Sequence, residues 1–171
     1  LAVLVVGGGA ASFALLGGGY SDWPEIKDPK TNPLFQRLFG KEGFLPLNEA
    51  NLEEFLAVPG LKMAVFAEDP NAKRVTMDIV VIAPELKKAF AGALSDTRFA
   101  DLAEARALAA RWGLRRFPAV ALFRDRIFLG AVEALQPWET YCRQLGEIAR
   151  RTEAPARTIA IAPVSTSSCG D

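Results

Sequence analysis

The sequence predicts an α/β domain in which helices flank a mixed β-sheet. Three observations predict it. From Asn32 onward, apolar runs of strand length alternate with segments of helical apolar spacing. From Leu61 to Ala67 every position but Lys62 is apolar, the pattern of a central strand covered on both faces. Late in the chain two strand-like runs flank Arg124-Asp125-Arg126, which places one antiparallel hairpin at the end of an otherwise alternating order.

Taken in order, Asn32-Pro33 is a helix start, with Asn at the N-cap and Pro in the first turn. Leu34, Phe35, Leu38 and Phe39 follow at helical spacing, and Gly40 ends the helix. Phe44-Leu45-Pro46-Leu47 predicts a short edge strand, because proline supplies no ladder donor. Asn48 is the expected cap of a helix reaching Val58, with Leu52, Phe55 and Leu56 on its buried face and Pro59-Gly60 as the stop. The central strand comes next, then a polar loop from Glu68 to Lys73. Met77 to Phe90 carries Ile79, Val80, Ile82 and Leu86, and Pro84 should kink this helix or make it begin afresh. Leu94 to Ala100 reads as a strand. Asp101 to Trp112 is alanine-rich and predicts a strong helix, capped by Asp101 and stopped by Gly113. Phe117 to Phe123 is a strand opened by Pro118, and Ile127 to Val132 returns beside it. Pro137 opens a last helix whose buried face is Trp138, Tyr141, Leu145 and Ile148. The order is βαβαβαββα after one extra N-terminal helix.

At 171 residues and 18.5 kDa there is room for one domain plus tails. We place it at residues 32–152, after a linker at 21–31 and before a flexible Ala/Pro/Ser/Thr-rich tail at 153–171. Half the residues are hydrophobic (50%) and 23% are charged, which supports a core and excludes global disorder. Twenty basic residues balance 20 acidic ones, which argues against a nucleic-acid partner. With no histidine, Ser-His-Asp and Cys-His catalysis and His-ligated metal sites are excluded. Cys142 and Cys169 lie 27 apart and form no C-x-x-C, so a zinc ribbon and dithiol chemistry lack their ligands. No metal, cofactor or catalytic residue is expected, and the chain is not read as an enzyme. Glu53-Glu54 and Asp96 with Asp101 are paired carboxylates, but nothing in the sequence sets their pKa values apart for acid–base work.

Residues 1–20 carry no charge, and twenty helical residues rise about 30 Å, the thickness of a bilayer core. Gly7, Gly8, Gly9, Gly17, Gly18 and Gly19 suit close helix packing in a membrane. The leading expectation is a single membrane-spanning anchor contacting the lipid bilayer, with the soluble domain on the cytoplasmic side. A signal sequence or unstructured apolar tail is a second reading. A dinucleotide fingerprint at Gly7 to Ser12 is a third, although the second hydrophobic strand such a unit needs is missing after Leu16.

Arg111-Trp112-Gly113-Leu114-Arg115-Arg116-Phe117-Pro118 leading into Ala119 to Phe123 looks like the second half of a thioredoxin-like fold. That likeness implies a cis peptide bond at Phe117-Pro118, facing a redox loop near Thr76-Met77-Asp78-Ile79, where no thiol stands. Further stretches narrow it: Asn32 to Leu38, Leu47 to Leu52, Phe66 to Pro70, Ala83-Pro84-Glu85-Leu86, and Gly130 ahead of Pro137-Trp138. Over roughly residues 32–150 the chain resembles the HyaE/HupG family of hydrogenase maturation proteins, thioredoxin-like but without the dithiol. The resemblance implies a non-catalytic chaperone or assembly factor that binds a client protein, the precursor of a hydrogenase small subunit, before twin-arginine export.

In a thioredoxin-like domain without cysteines, the backbone before the proline is free to accept an extended segment. Arg116, Phe117 and Pro118 are therefore the candidate client edge, with Asp69, Pro70, Asn71 and Met77 as the opposite wall. The competing reading makes Phe117 and Met77 core residues and lets Pro118 only shape the strand. Arg111, Arg115, Arg116, Arg124 and Arg126 could meet an acidic partner or lipid headgroups, or form a solvated rim. Cys142 is expected as a small buried hydrophobe. The alternative function is a membrane-anchored accessory structural subunit of a respiratory or photosynthetic complex, its partners the other subunits.

Overall fold

The structure, a computed structural model, describes residues 25–156. A 3₁₀ turn at Pro29–Thr31 precedes α1 (Pro33–Phe39). There follow β1 (Leu45–Leu47), α2 (Leu52–Ala57), β2 (Leu61–Phe66), α3 (Val75–Ala89), β3 (Leu94–Ala100), α4 (Ala105–Ala110), β4 (Ala119–Arg124), β5 (Ile127–Glu133) and α5 (Trp138–Ala149). The expected order of elements is the observed one.

The five strands form one sheet in the order β1-β3-β2-β4-β5. β1, β3 and β2 run parallel, while β4 and β5 run antiparallel to their neighbours. β2 is central and buried along its whole length. Its alternation divides the core between the two faces. Met63 and Val65 join Phe35, Leu38, Ile79, Phe99, Tyr141 and Leu145 under α1, α3 and α5. Ala64 and Phe66 join Leu52, Phe55, Leu108 and Phe123 under α2 and α4. Trp112 completes that second layer, its ring 4.9 Å from Phe123 and 6.0 Å from Phe66. The Asn32 side chain caps α1 by accepting from the Leu34 amide, and Pro33 opens the helix. β1 is an edge strand, as Pro46 predicts.

Several local expectations need correction. α2 begins at Leu52 and not beside Asn48. The Asn48 and Asn51 side chains each accept the other's backbone amide (2.8 and 3.0 Å), which closes a turn and delays the helix. α4 is only Ala105–Ala110. The Asp101 carboxylate accepts from Asn48 Nδ2 (3.2 Å) and does not cap a helix, so residues 102–104 form a turn. α3 does not begin afresh at Pro84 but runs through it as one element. An interior proline costs about 3 kcal/mol. Burying Ile79, Val80, Ala83 and Leu86 on the same helix offsets that, since each large apolar side chain contributes about 1.5–3 kcal/mol. Trp138, expected on the buried face of α5, is 43% exposed, because it is the first residue of the helix and the inward stripe begins at Tyr141. Cys142 is likewise exposed, since the inward stripe of α5 falls on Tyr141, Leu145 and Ile148.

Among the described residues no helix is long and apolar enough to cross a membrane. The expected anchor at residues 1–20, with Gly7, Gly8, Gly9, Gly17, Gly18 and Gly19, lies outside the described residues, as do 157–171 of the expected tail. The described part of the linker is tied down. The Asn71 side chain exchanges two hydrogen bonds with the backbone of Ile26 (2.8 and 2.9 Å), and the Asp28 side chain accepts from the Lys30 amide.

Candidate functional site

The parallel strands end, and β4 begins, at one end of the sheet, because Phe66 of β2 pairs with Ala119 of β4. The loops after β2, β3 and β5 and the segment entering β4 therefore gather there. In open α/β sheets this end is the usual place for ligands.

The Phe117–Pro118 peptide bond is cis. The ladders on both sides of β4 start at Ala119, so the Phe117 main chain precedes the paired register on either side. Just upstream, the Glu133 carboxylate accepts the backbone amides of Arg115 (2.7 Å) and Arg116 (3.0 Å). Glu133 is in turn fixed by the β4–β5 ladder, where it pairs with Ala119. Beyond it the chain turns through Ala134, whose φ of +62° is uncommon for a residue other than glycine. The Tyr141 hydroxyl donates to the Ala134 carbonyl (3.4 Å), and Gln136 Nε2 donates to the Glu133 carbonyl (3.1 Å). Burial pushes the Tyr141 phenol above its ordinary pKa, so it stays protonated to donate. Leu135 (37% exposed) and Trp138 (43% exposed) offer apolar surface beside this turn.

The loop after β2 forms the other side. The Asp69 side chain accepts from the Asn71 amide, and its carbonyl accepts from Ala72 and Lys73. Pro70 is buried, and Asn71 holds Ile26. Thr76 is buried in the first turn of α3 and donates to the Glu68 carbonyl (2.7 Å). The Glu68 carboxylate pairs with Arg106 of α4, whose guanidinium lies 5.9 Å from the centre of the Phe117 ring. Arg106 thus joins the two walls.

Of the expected site residues, Arg116, Phe117 and Pro118 stand together at the β4 entrance, and Asp69, Pro70 and Asn71 share the facing loop. The Arg116 amide is not available as expected, being held by Glu133. Met77 is half-buried against the core layer under α3. The arginines do not act as one group. Arg111 pairs with Glu49, Arg126 with Glu53, and Arg124 donates to the Ala149 carbonyl. Sequence reasoning missed Arg106, Glu133, Leu135 and Trp138. Only Leu135 and Trp138 left a trace, as apolar residues around Pro137, and helical spacing assigned Trp138 to the core.

No thiol stands in the first turn of α3, and the described free cysteine, Cys142, lies on the exposed side of α5. Among the described residues no cluster of three or more His, Cys, Asp or Glu could hold a metal ion. The element order, the proline at the β4 entrance and the thiol-free loop define the class, a thioredoxin-like domain without the redox dithiol. The family described as Hydrogenase-1 expression protein HyaE matches residues 34–141, and the chain belongs to it. The hydrogenase expression/formation protein HupG of Rhodobacter capsulatus is 32% identical over 128 residues, 73% of this chain and 92% of its own length. The hydrogenase expression/formation protein HoxO of Azotobacter vinelandii is 31% identical over 140 residues, 81% of this chain and 93% of its own. Among solved structures, a HupG of Rhodopseudomonas palustris is 28% identical, covering 60% of this chain and 92% of its own at a TM-score of 0.43.

Proposed function

We propose that the chain is a non-catalytic hydrogenase-maturation chaperone that holds a client polypeptide at the β4 entrance. The client is the precursor of a hydrogenase small subunit, kept until export. The observation that carries this reading is the Phe117 main chain, which precedes the paired register on both sides. An extended client segment can hydrogen-bond there as an added strand. Leu135 and Trp138 give its side chains apolar contact, and the Glu133 clamp holds the receiving segment in place. Membership of a family named for hydrogenase expression supports the choice of client. The role places the domain on the cytoplasmic side, where a precursor awaits export.

The test is calorimetric titration of the full chain with small-subunit precursor, using Phe117→Glu and Leu135→Glu. Truncating an interface anchor typically costs 2 kcal/mol or more, about a 30-fold loss of affinity. Both variants are expected to lose at least that while keeping the wild-type circular dichroism. Leu135 is exposed, so its variant keeps the test valid if Phe117→Glu unfolds. Unchanged affinity in the folded Leu135→Glu variant would remove the β4 entrance as the client site.

A further inference from the structure

The fold sorts the five arginines that cluster in the sequence. Arg111 pairs with Glu49, Arg126 with Glu53, and Arg124 donates to the Ala149 carbonyl. Arg115 and Arg116 are left over. Both are exposed, and among the described residues neither guanidinium has a hydrogen-bond or ion-pair partner. They are also the two residues directly ahead of Phe117, whose main chain precedes the paired register of β4.

The segment that carries them is held. Glu133 accepts both of their amides (2.7 and 3.0 Å), which fixes the backbone and engages that carboxylate. Two further carboxylates of the site are engaged as well. Glu68 pairs with Arg106, and the Asp69 side chain accepts from the Asn71 amide. Asp78 and Glu139 are exposed, but they stand on the first turns of α3 and α5, not on the segment entering β4.

What two unengaged guanidiniums recognise follows from their chemistry. Each presents a planar fork of donors that matches a carboxylate, and each disfavours a basic side chain. A strand bonded to the Phe117 main chain advances about 3.3 Å per residue, so a side chain within about three residues of the paired position comes within reach of Arg115 and Arg116. Leu135 and Trp138 offer apolar surface to other side chains of the same strand.

We propose that the client segment held at the β4 entrance is an extended apolar stretch carrying an acidic residue, which the Arg115–Arg116 pair binds. This rests on the reading of the β4 entrance as the client site and adds the chemistry of the client.

The experiment titrates the full chain with short fluorescent peptides that share one apolar core and are flanked by glutamates, glutamines or lysines, read by anisotropy. The expected order of affinity is glutamate, then glutamine, then lysine. Exposed ion pairs are individually weak, so the spread from first to last should be about tenfold, and high salt should shrink it. Arg115→Glu with Arg116→Glu should invert the order, and Arg115→Gln with Arg116→Gln should erase it, both with wild-type circular dichroism because these side chains are exposed. Arg126→Glu, in the hairpin at the opposite end of the sheet, should keep the order. Leu135→Ser should weaken all three peptides alike. Equal binding of the three peptides, all weakened by Leu135→Ser, would overturn this proposal and leave the client site standing. Binding of none, or binding that Leu135→Ser does not change, would overturn both. A glutamate preference that Arg126→Glu also removes would trace to the overall charge of the chain and would overturn the role of the Arg115–Arg116 pair.

Discussion

Lys62 occupies the second position of the central strand with no solvent exposure. Its ammonium donates to the carbonyls of Phe55 (2.7 Å) and Leu56 (2.9 Å) and lies 4.9 Å from the Phe55 ring centre, capping the end of α2. Burial pushes its pKa below the ordinary 10.5, against the opposing pull of Asp96 and Asp125. The unfolded chain therefore keeps this proton to higher pH than the fold does. From this group, stability rises with pH through the folded pKa and levels off near 10.5. The Lys62→Met variant lacks that slope. In urea unfolding, the stability of wild type minus that of Lys62→Met should increase from pH 7 to pH 10; a flat or falling difference contradicts the assignment. Glu133 acts on the same scale. Glu133→Ala removes the acceptor of the exposed Arg115 and Arg116 amides and should cost about 0.5–1.5 kcal/mol in urea unfolding. A loss within a few tenths would mean that water replaces the clamp. Lys62 was legible as the one break in an apolar run, but its partners were not, since they come from the end of a preceding helix. Glu133 gave no signal, because its role depends on which strand ends beside the β4 entrance.

At the scale of elements, the sequence located every strand and α-helix of the described region, through apolar spacing and its proline and glycine punctuation, while the 3₁₀ turn at Pro29–Thr31 was read as extended linker. What it missed are starts and stops decided by side chains meeting across the fold. Asn48 reads locally as a helix cap, yet it bonds Asp101, 53 residues away, and the two helices expected to begin at these residues both begin later. The linker ahead of α1 is a similar case. Its prolines and charges read as an extended linker, and only the fold shows Asn71 holding it. Asn71→Ala should raise hydrogen exchange at the Ile26 amide by an order of magnitude or more, while the amides of β2 keep their protection. Equal exchange in the two proteins would show that the linker is held elsewhere.

At the scale of the whole molecule, one end of a mixed sheet carries the β4 entrance, the Glu68–Arg106 bridge and the Asn71–Ile26 contact. The sequence showed the first through Pro118 and its likeness to a thioredoxin-like fold. It could not show the groove of about 830 Å³ between α1, β1 and the turn after β3, whose lining comes from four separate stretches of chain, residues 28–30, 35–39, 44–48 and 99–103. That Cys142 and Cys169 form no C-x-x-C was legible from the sequence alone. Membership of a hydrogenase expression family is the ground on which the proposed client role rests. The most direct test is to purify the native full chain in mild detergent and identify its stoichiometric partners by mass spectrometry. A hydrogenase small-subunit precursor at near-equal abundance, lost with Leu135→Glu, is the predicted result. A set of membrane-complex subunits with no hydrogenase component would contradict it.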